Sequence, residues 1–262
     1  MDYLSILTAT EGFCTKQFKQ SGDSLMQLIP KMPYLFDHTT VDVDSLAALS
    51  SQLLQLEDRP NRQVIRGDLI DRREPVSVRR TTKAKQGQEP NFQTAARRWC
   101  LIDIDDLPLP EHLSDYQANK TEIVDFAVSH LPKQFHNVQC WYQFSSSMGI
   151  KKDKVRLHLW YWLSRPCSDV EMKGWLQDSP VDLALFNPVQ PHFTANPIFL
   201  DGAIDPFPDR SGMYKPSDII EVAVPELIPS VVARKIKSTT NNFGQLDGQE
   251  ILRDEDSGLI MD

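Results

Sequence analysis

The sequence predicts an α+β protein built on an antiparallel-rich sheet flanked by helices. Three observations lead there. A strong strand pattern at 99–105 (WCLIDID) precedes a helical pattern at 119–131. Two aromatic and β-branched runs, 138–145 and 154–164, are joined by SSMGIKKD, whose glycine suits an antiparallel hairpin. A further helix then starts at Ser168. Strands and helices mixed in this order argue for α+β.

Each element has a local reason. Residues 43–57 place Leu46, Leu49, Leu53 and Leu56 at helical spacing, with Asp44 or Ser45 as the cap and Pro60 as the stop. Residues 61–90 hold short apolar runs (VIRG, PVSV) among charges, the pattern of two strands and a mobile loop. In the helix at 119–131, Asn119 and Glu122 form a capping-box-like pair. Ile123, Phe126 and Ala127, with His130 or Leu131, form its inner stripe. Ser168 and Glu171 repeat the capping box for a helix through Gln177. Beyond it prolines punctuate the chain, and from about Ser238 it reads as a polar, acidic, flexible tail or linker.

Composition narrows the class. The chain has 262 residues, enough for one large domain or two small ones. No apolar run reaches membrane-spanning length, and the N-terminus lacks a signal-peptide pattern. Cys14, Cys100, Cys140 and Cys167 form no CxxC pair, so no zinc ribbon is expected, and reduced thiols in a cytoplasmic protein are. The net charge is −8, yet residues 59–98 hold eleven basic against four acidic residues, a local +7. A basic segment in an acidic chain suits phosphate binding; its bland counterpart is a solvated loop.

The sharpest chemical pattern is Asp103-Ile104-Asp105. Strand alternation sends Ile102 and Ile104 to one face and both carboxylates to the other, with Cα atoms about 6.5–7 Å apart. Like charges on a half-buried strand repel, and a divalent cation between them relieves the cost. Hard oxygen ligands suit Mg²⁺ or Mn²⁺. The competing reading is an edge strand whose Asp residues face water.

On the strand at 155–160, Arg156, His158 and Trp160 share one face. The preceding Ser145-Ser146-Ser147-Met148-Gly149, with Lys151, Lys152 and Lys154, can cradle phosphates through backbone amides. Asp182, beside a strand-like apolar step, is a candidate third carboxylate; Asp201 and Asp205 compete for that role. Asn187, Gln190, His192, Thr194 and Asn196 offer uncharged groups suited to sugars, bases or phosphates, or else form a proline-kinked surface loop.

LIDID, then SSSMG with RLHLW, then VDLAL resemble the three motifs of the archaeo-eukaryotic primase superfamily. The longer stretch SSSMGIKKDKVRLHLWYWLSRP with NPVQPHFTANPIF resembles the primase-polymerase domains of phage and plasmid replication proteins. The likeness runs over residues 97–216 and more weakly back to 60. It departs at Arg156, where many members carry a small residue, and it lacks the zinc module some members have.

The resemblance implies an RRM-like catalytic sheet at 96–235, an additional N-terminal α/β unit at 1–95 packed on it, and a tail at 236–262. It implies Asp103, Asp105 and Asp182 as catalytic metal ligands. His158 and Arg156, with Ser147, Gly149 and Lys154, would bind the incoming nucleotide. Arg97, Arg98, Arg79, Arg80, Arg210 and Lys215 are candidate nucleic-acid contacts, Arg210 and Lys215 being open to either template or nucleotide. The implied partners are nucleoside triphosphates, a single-stranded DNA template and a replicative helicase or other replication protein, in the cytoplasm of a prokaryotic host.

Three rival classes stand beside a nucleotidyltransferase. An origin-binding initiation module gains from the basic segment but not from carboxylates near DNA. A nicking nuclease wants a paired HxH site, and Arg156 occupies the paired position. A plain structural domain with a surface DxD would keep every activity after Asp103→Ala.

Overall fold

The computed structural model describes residues 2–28, 32–71, 77–84, 87–151 and 153–226. The expected tail at 236–262, together with Arg72, Arg73, Lys85 and Lys152 of the basic stretches, lies outside them.

The architecture is α+β with mostly antiparallel sheets. The chain opens with β1 (Asp2–Ala9), β2 (Gln17–Ser21), β3 (Ser24–Leu28), β4 (Phe36–Val43), α1 (Leu46–Leu56) and β5 (Arg62–Ile65). Short strands β6 (Asp68–Leu69) and β7 (Phe92–Gln93) follow. Then come β8 (Arg97–Ile104), α2 (Lys120–Ser129), β9 (Cys140–Phe144), β10 (Leu157–Cys167), α3 (Asp169–Leu176), β11 (Ile198–Leu200) and β12 (Ser211–Tyr214).

The central sheet has the order β12-β9-β10-β8, every neighbouring pair antiparallel. Alternation along its strands divides it into two faces. One presents Cys100, Ile102 and Ile104 of β8 with Leu157, Leu159 and Tyr161 of β10 to α2 and α3, which bury Ile123, Val124, Ala127, Met172 and Leu176 there. The other carries Trp99, Leu101, Trp141, Trp160 and Trp162, covered by Leu4 and Ile6 of β1 and Leu46, Leu49, Leu53 and Leu56 of α1. Each such large apolar side chain contributes about 1.5–3 kcal/mol on leaving water. The N-terminal unit therefore rests directly on the second face.

The chain returns to that unit late. β11 pairs in parallel with β2, and the backbones of Val64 and His192 exchange two hydrogen bonds. All four cysteines are free and buried. No helix among the described residues is long and apolar enough to cross a membrane.

Local expectations meet some corrections. Ser45 caps α1 by accepting the Ala48 N–H, and Asp44 does not. Ser168 and Glu171 form the full capping box of α3, whereas Asn119 makes no side-chain cap on α2. The expected inner stripe of α2 is present through Ile123, Ala127 and Leu131, with Phe126 packed against the core; His130 is exposed, and Val124 and Val128 are buried in addition. The step at Asp182 is not a strand: the carboxylate accepts the Ala184 N–H at 2.9 Å and starts a short 3₁₀ turn, Leu183–Phe186.

Candidate functional site

The site forms where β8 and β10 lie side by side. Their register sets Asp103 opposite His158, and β9 places Gln143 on the other flank of His158. His158 Nε2 stands 3.6 Å from Asp103 Oδ1, and Arg156 Nη1 stands 3.6 Å from Asp105 Oδ1. Both gaps exceed a good hydrogen bond. Asp103 Oδ1, His158 Nδ1 and Arg156 Nε are buried with no hydrogen-bond partner. Asp182 arrives by tertiary contact: its backbone N–H donates to the Asp103 carbonyl at 3.0 Å.

Electrostatics follow from this crowding. Burial, then the charges of Asp105 and Asp182, push the Asp103 carboxyl well above the usual carboxylate range. Burial pushes His158 down to about 4, so its imidazole is neutral at pH 7.

A cavity of about 390 Å³ opens over these groups. Asp103, Asp105, Asp182 and His158 line one side with Ser145, Ser146 and Arg210. Cys14, Thr15 and Lys16, Gln27 and Met32, and residues of the Gln190–Pro197 stretch also line it. Gln190 Oε1 and Asn196 Oδ1 are buried there without partners. The lining combines carboxylates with apolar and amide side chains, which suits a ligand with a charged head and a planar or sugar body.

Among the described residues no group of three His, Cys, Asp or Glu side chains is drawn together as a metal-holding cluster. The donor chemistry still fits a hard divalent cation. A buried carboxylate oxygen without a partner faces a cavity that two further carboxylates line.

The other expected contacts divide. Ser147 is buried, its Oγ 3.3 Å from Ser145 Oγ, and Ser145 and Ser146 line the cavity instead. Gly149 serves the turn, with φ +80° and room for a Cβ only 3.0 Å from Phe207. Lys154 is exposed and pairs with Asp106 at 2.6 Å, away from the cavity. Asp205 is taken by Arg210 and by the Phe207 N–H, and Asp201 occupies a left-handed turn, which leaves Asp182 as the third carboxylate at the cavity.

Arg97 is a structural residue and not a surface contact. Only 2% exposed, it donates to the Arg66 and Gly67 carbonyls, pairs with Asp2 at 3.2 Å and lies over the Tyr3 ring. Arg98 lies over the Trp162 ring, donates to the Leu163 carbonyl and pairs with Glu221. Arg80 donates to the Val189 carbonyl and Lys215 is exposed beyond β12. Arg79 lies over the ring of Tyr34, itself 64% exposed, and donates to its hydroxyl at 2.8 Å. Of the polar run, Gln190 and Asn196 reach the cavity, Asn187 accepts from Lys173, and His192 and Thr194 are buried.

Sequence reasoning missed Cys14, Thr15, Lys16, Gln27 and Met32. Nothing local marks them, since their role comes from the N-terminal unit folding over the sheet. Compared with protein families, with curated proteins and with solved structures, the chain has no match.

Proposed function

We propose that this protein is a DNA-dependent primase-polymerase that performs metal-dependent, template-directed nucleotidyl transfer in the replication of a phage, plasmid or other mobile element, in the cytoplasm of its host. The observation that carries the reading is the convergence of Asp103 and Asp105, His158 and Asp182, from three separate segments of the chain, on one cavity. The likeness of their three segments to the archaeo-eukaryotic primase motifs agrees with it. So does the β8-α2-β9-β10 order, in which β10 lies between β8 and β9 as in the split β-α-β of an RRM-like sheet. β12 flanks β9, the point at which this sheet has its own arrangement.

In this reading a primer or initiating 3′-hydroxyl attacks the α-phosphorus of a nucleoside triphosphate, and pyrophosphate leaves. Mg²⁺ or Mn²⁺, held by Asp103 and Asp105 with Asp182, would supply hydroxyl activation and charge neutralisation. Neutral His158 donates a hydrogen bond to the triphosphate. Arg156, 3.6 Å from Asp105, holds that carboxylate in place or turns to a phosphate oxygen. No side-chain nucleophile is needed.

The second reading, an origin-binding module with little catalysis, draws on the exposed Tyr34 with Arg79 stacked upon it. Such a pair suits a base of single-stranded DNA.

The test is primer synthesis on single-stranded DNA with Mg²⁺ or Mn²⁺ and labelled nucleotides, comparing the wild type with Asp103→Ala/Asp105→Ala. Products without an added primer from the wild type alone establish a primase, and extension only from an added primer establishes a polymerase. Absence of both, with DNA binding intact in the double variant, favours the origin-binding module.

A further inference from the structure

The loop between β1 and β2 is pinned rather than free. The Cys14 N–H donates to the Pro60 carbonyl at 2.6 Å, and the Thr15 hydroxyl donates to the Ala195 and Asn196 carbonyls at 3.2 and 3.1 Å. The Lys16 carbonyl accepts the Ile198 N–H at 3.0 Å, where β11 begins to pair with β2. These bonds hold Lys16 in the lining of the cavity that the carboxylates of β8 also line.

Lys16 and Arg210 are the Lys and Arg residues of the cavity lining among the described residues. Arg210 is committed to Asp205 and to the Ser145 carbonyl. Burial lowers the Lys16 pKa and the charges of Asp105 and Asp103 oppose that shift, yet no described carboxylate comes within the 4.0 Å of an ion pair with it. Among the described residues the cavity lining therefore has one ammonium not already taken by a carboxylate. A ligand carrying several negative charges would find its counter-charge there.

Resting on the nucleotidyl-transfer reading, we infer that Lys16 is a phosphate-binding residue, contributed by the N-terminal unit, for the β- and γ-phosphates of the incoming nucleoside triphosphate. Its chemistry is that of a point charge on a flexible stem reaching a polyphosphate tail. The N-terminal unit is then a wall of the active site as well as a cover for the sheet.

The experiment is titration of the full chain, in Mn²⁺, with deoxythymidine tri-, di- and monophosphate, for the wild type, Lys16→Gln and Lys16→Arg, with thermal melts of each. Lys16→Gln should weaken triphosphate binding about ten- to a hundredfold and leave the monophosphate nearly unchanged, and Lys16→Arg should recover most of the loss. Lys16→Met, which keeps the aliphatic stem, repeats the comparison if the Gln variant melts early. Unchanged triphosphate affinity in folded variants overturns the inference. Weakened single-stranded DNA binding with unchanged triphosphate affinity also overturns it, assigning Lys16 to the template. A wild type that binds no triphosphate sinks the nucleotidyl-transfer reading itself, an outcome visible before any variant is compared.

Discussion

Asp103 is the residue at which fold and proposed chemistry oppose each other most directly. Its Oδ1 is buried without a partner, and the charges of Asp105 and Asp182 add to the cost of ionising it. Asp103→Asn removes that charge at constant shape. The expected outcome is a variant at least as stable as the wild type in a thermal melt, with primer synthesis reduced about a thousandfold or more, the loss of roughly 4 kcal/mol of transition-state stabilisation.

His192 tests the same physics away from the carboxylates. It is 1% exposed, sits edge-on to Trp99 and Trp160 at 6.0 and 5.8 Å, and both ring nitrogens lack partners. Burial, then the charges of Arg66 and His158, depress its pKa well below the ordinary value of 6.5. The unfolded chain therefore binds this proton first. The stability is fully present above about pH 6.5 and falls as pH drops toward the folded value, by up to ~1.4 kcal/mol per pH unit. Urea midpoints at pH 7.5 and 5.5 should separate for the wild type and draw together in His192→Phe. Equal separations in both proteins would count against the assignment.

At the level of elements, α3 is held at its N-terminal end by a capping box and by a buried ion pair. Arg66, wholly buried at the end of β5, binds Asp169 at 2.7 Å and donates to the Trp99 and Cys167 carbonyls. It also lies over the rings of Trp99 and Phe186. One guanidinium thus ties the N-terminal unit to β8, β10 and α3. Removing one partner of a buried pair strands the other, so Arg66→Leu should cost about 3–5 kcal/mol in urea unfolding, and Arg66→Leu/Asp169→Leu clearly less. Ser168→Ala, which removes only the cap, should cost about 1 kcal/mol.

The elements themselves were largely legible. α1, α2, α3 and the hairpin β9–β10 fall where periodicity and capping residues put them, within a few residues. The proline-rich stretch after α3 was not, because its short pieces, β11 and β12, exist only through pairing with β2 and β9. Asp182 misled for a similar reason: VDL alternates like a strand, but its carboxylate finds the Ala184 N–H and starts a 3₁₀ turn.

For the whole molecule, the second sheet face decides how the units depend on each other. Trp99, Leu101, Trp141, Trp160 and Trp162 would meet water if β1 and α1 were absent. Residues 96–226 expressed alone should be poorly soluble or bind a hydrophobic dye strongly, and co-expression with residues 1–95 should reduce both effects. A soluble, cooperatively melting fragment would show that the sheet stands alone.

From the sequence by itself came the α+β class, the alternation that splits apolar from charged residues along β8 and β10, and the pairing of two carboxylates with a His-bearing strand. These are periodic and local, so spacing carries them. Tertiary structure decided which of three aspartates joins Asp103, which arginines are buried struts, and that the N-terminal loop supplies Lys16. Those outcomes turn on contacts between residues up to about 180 positions apart, as between Thr15 and Ala195. Burial, not residue type, then sets whether an Arg such as Arg97 is a strut or remains open to a ligand.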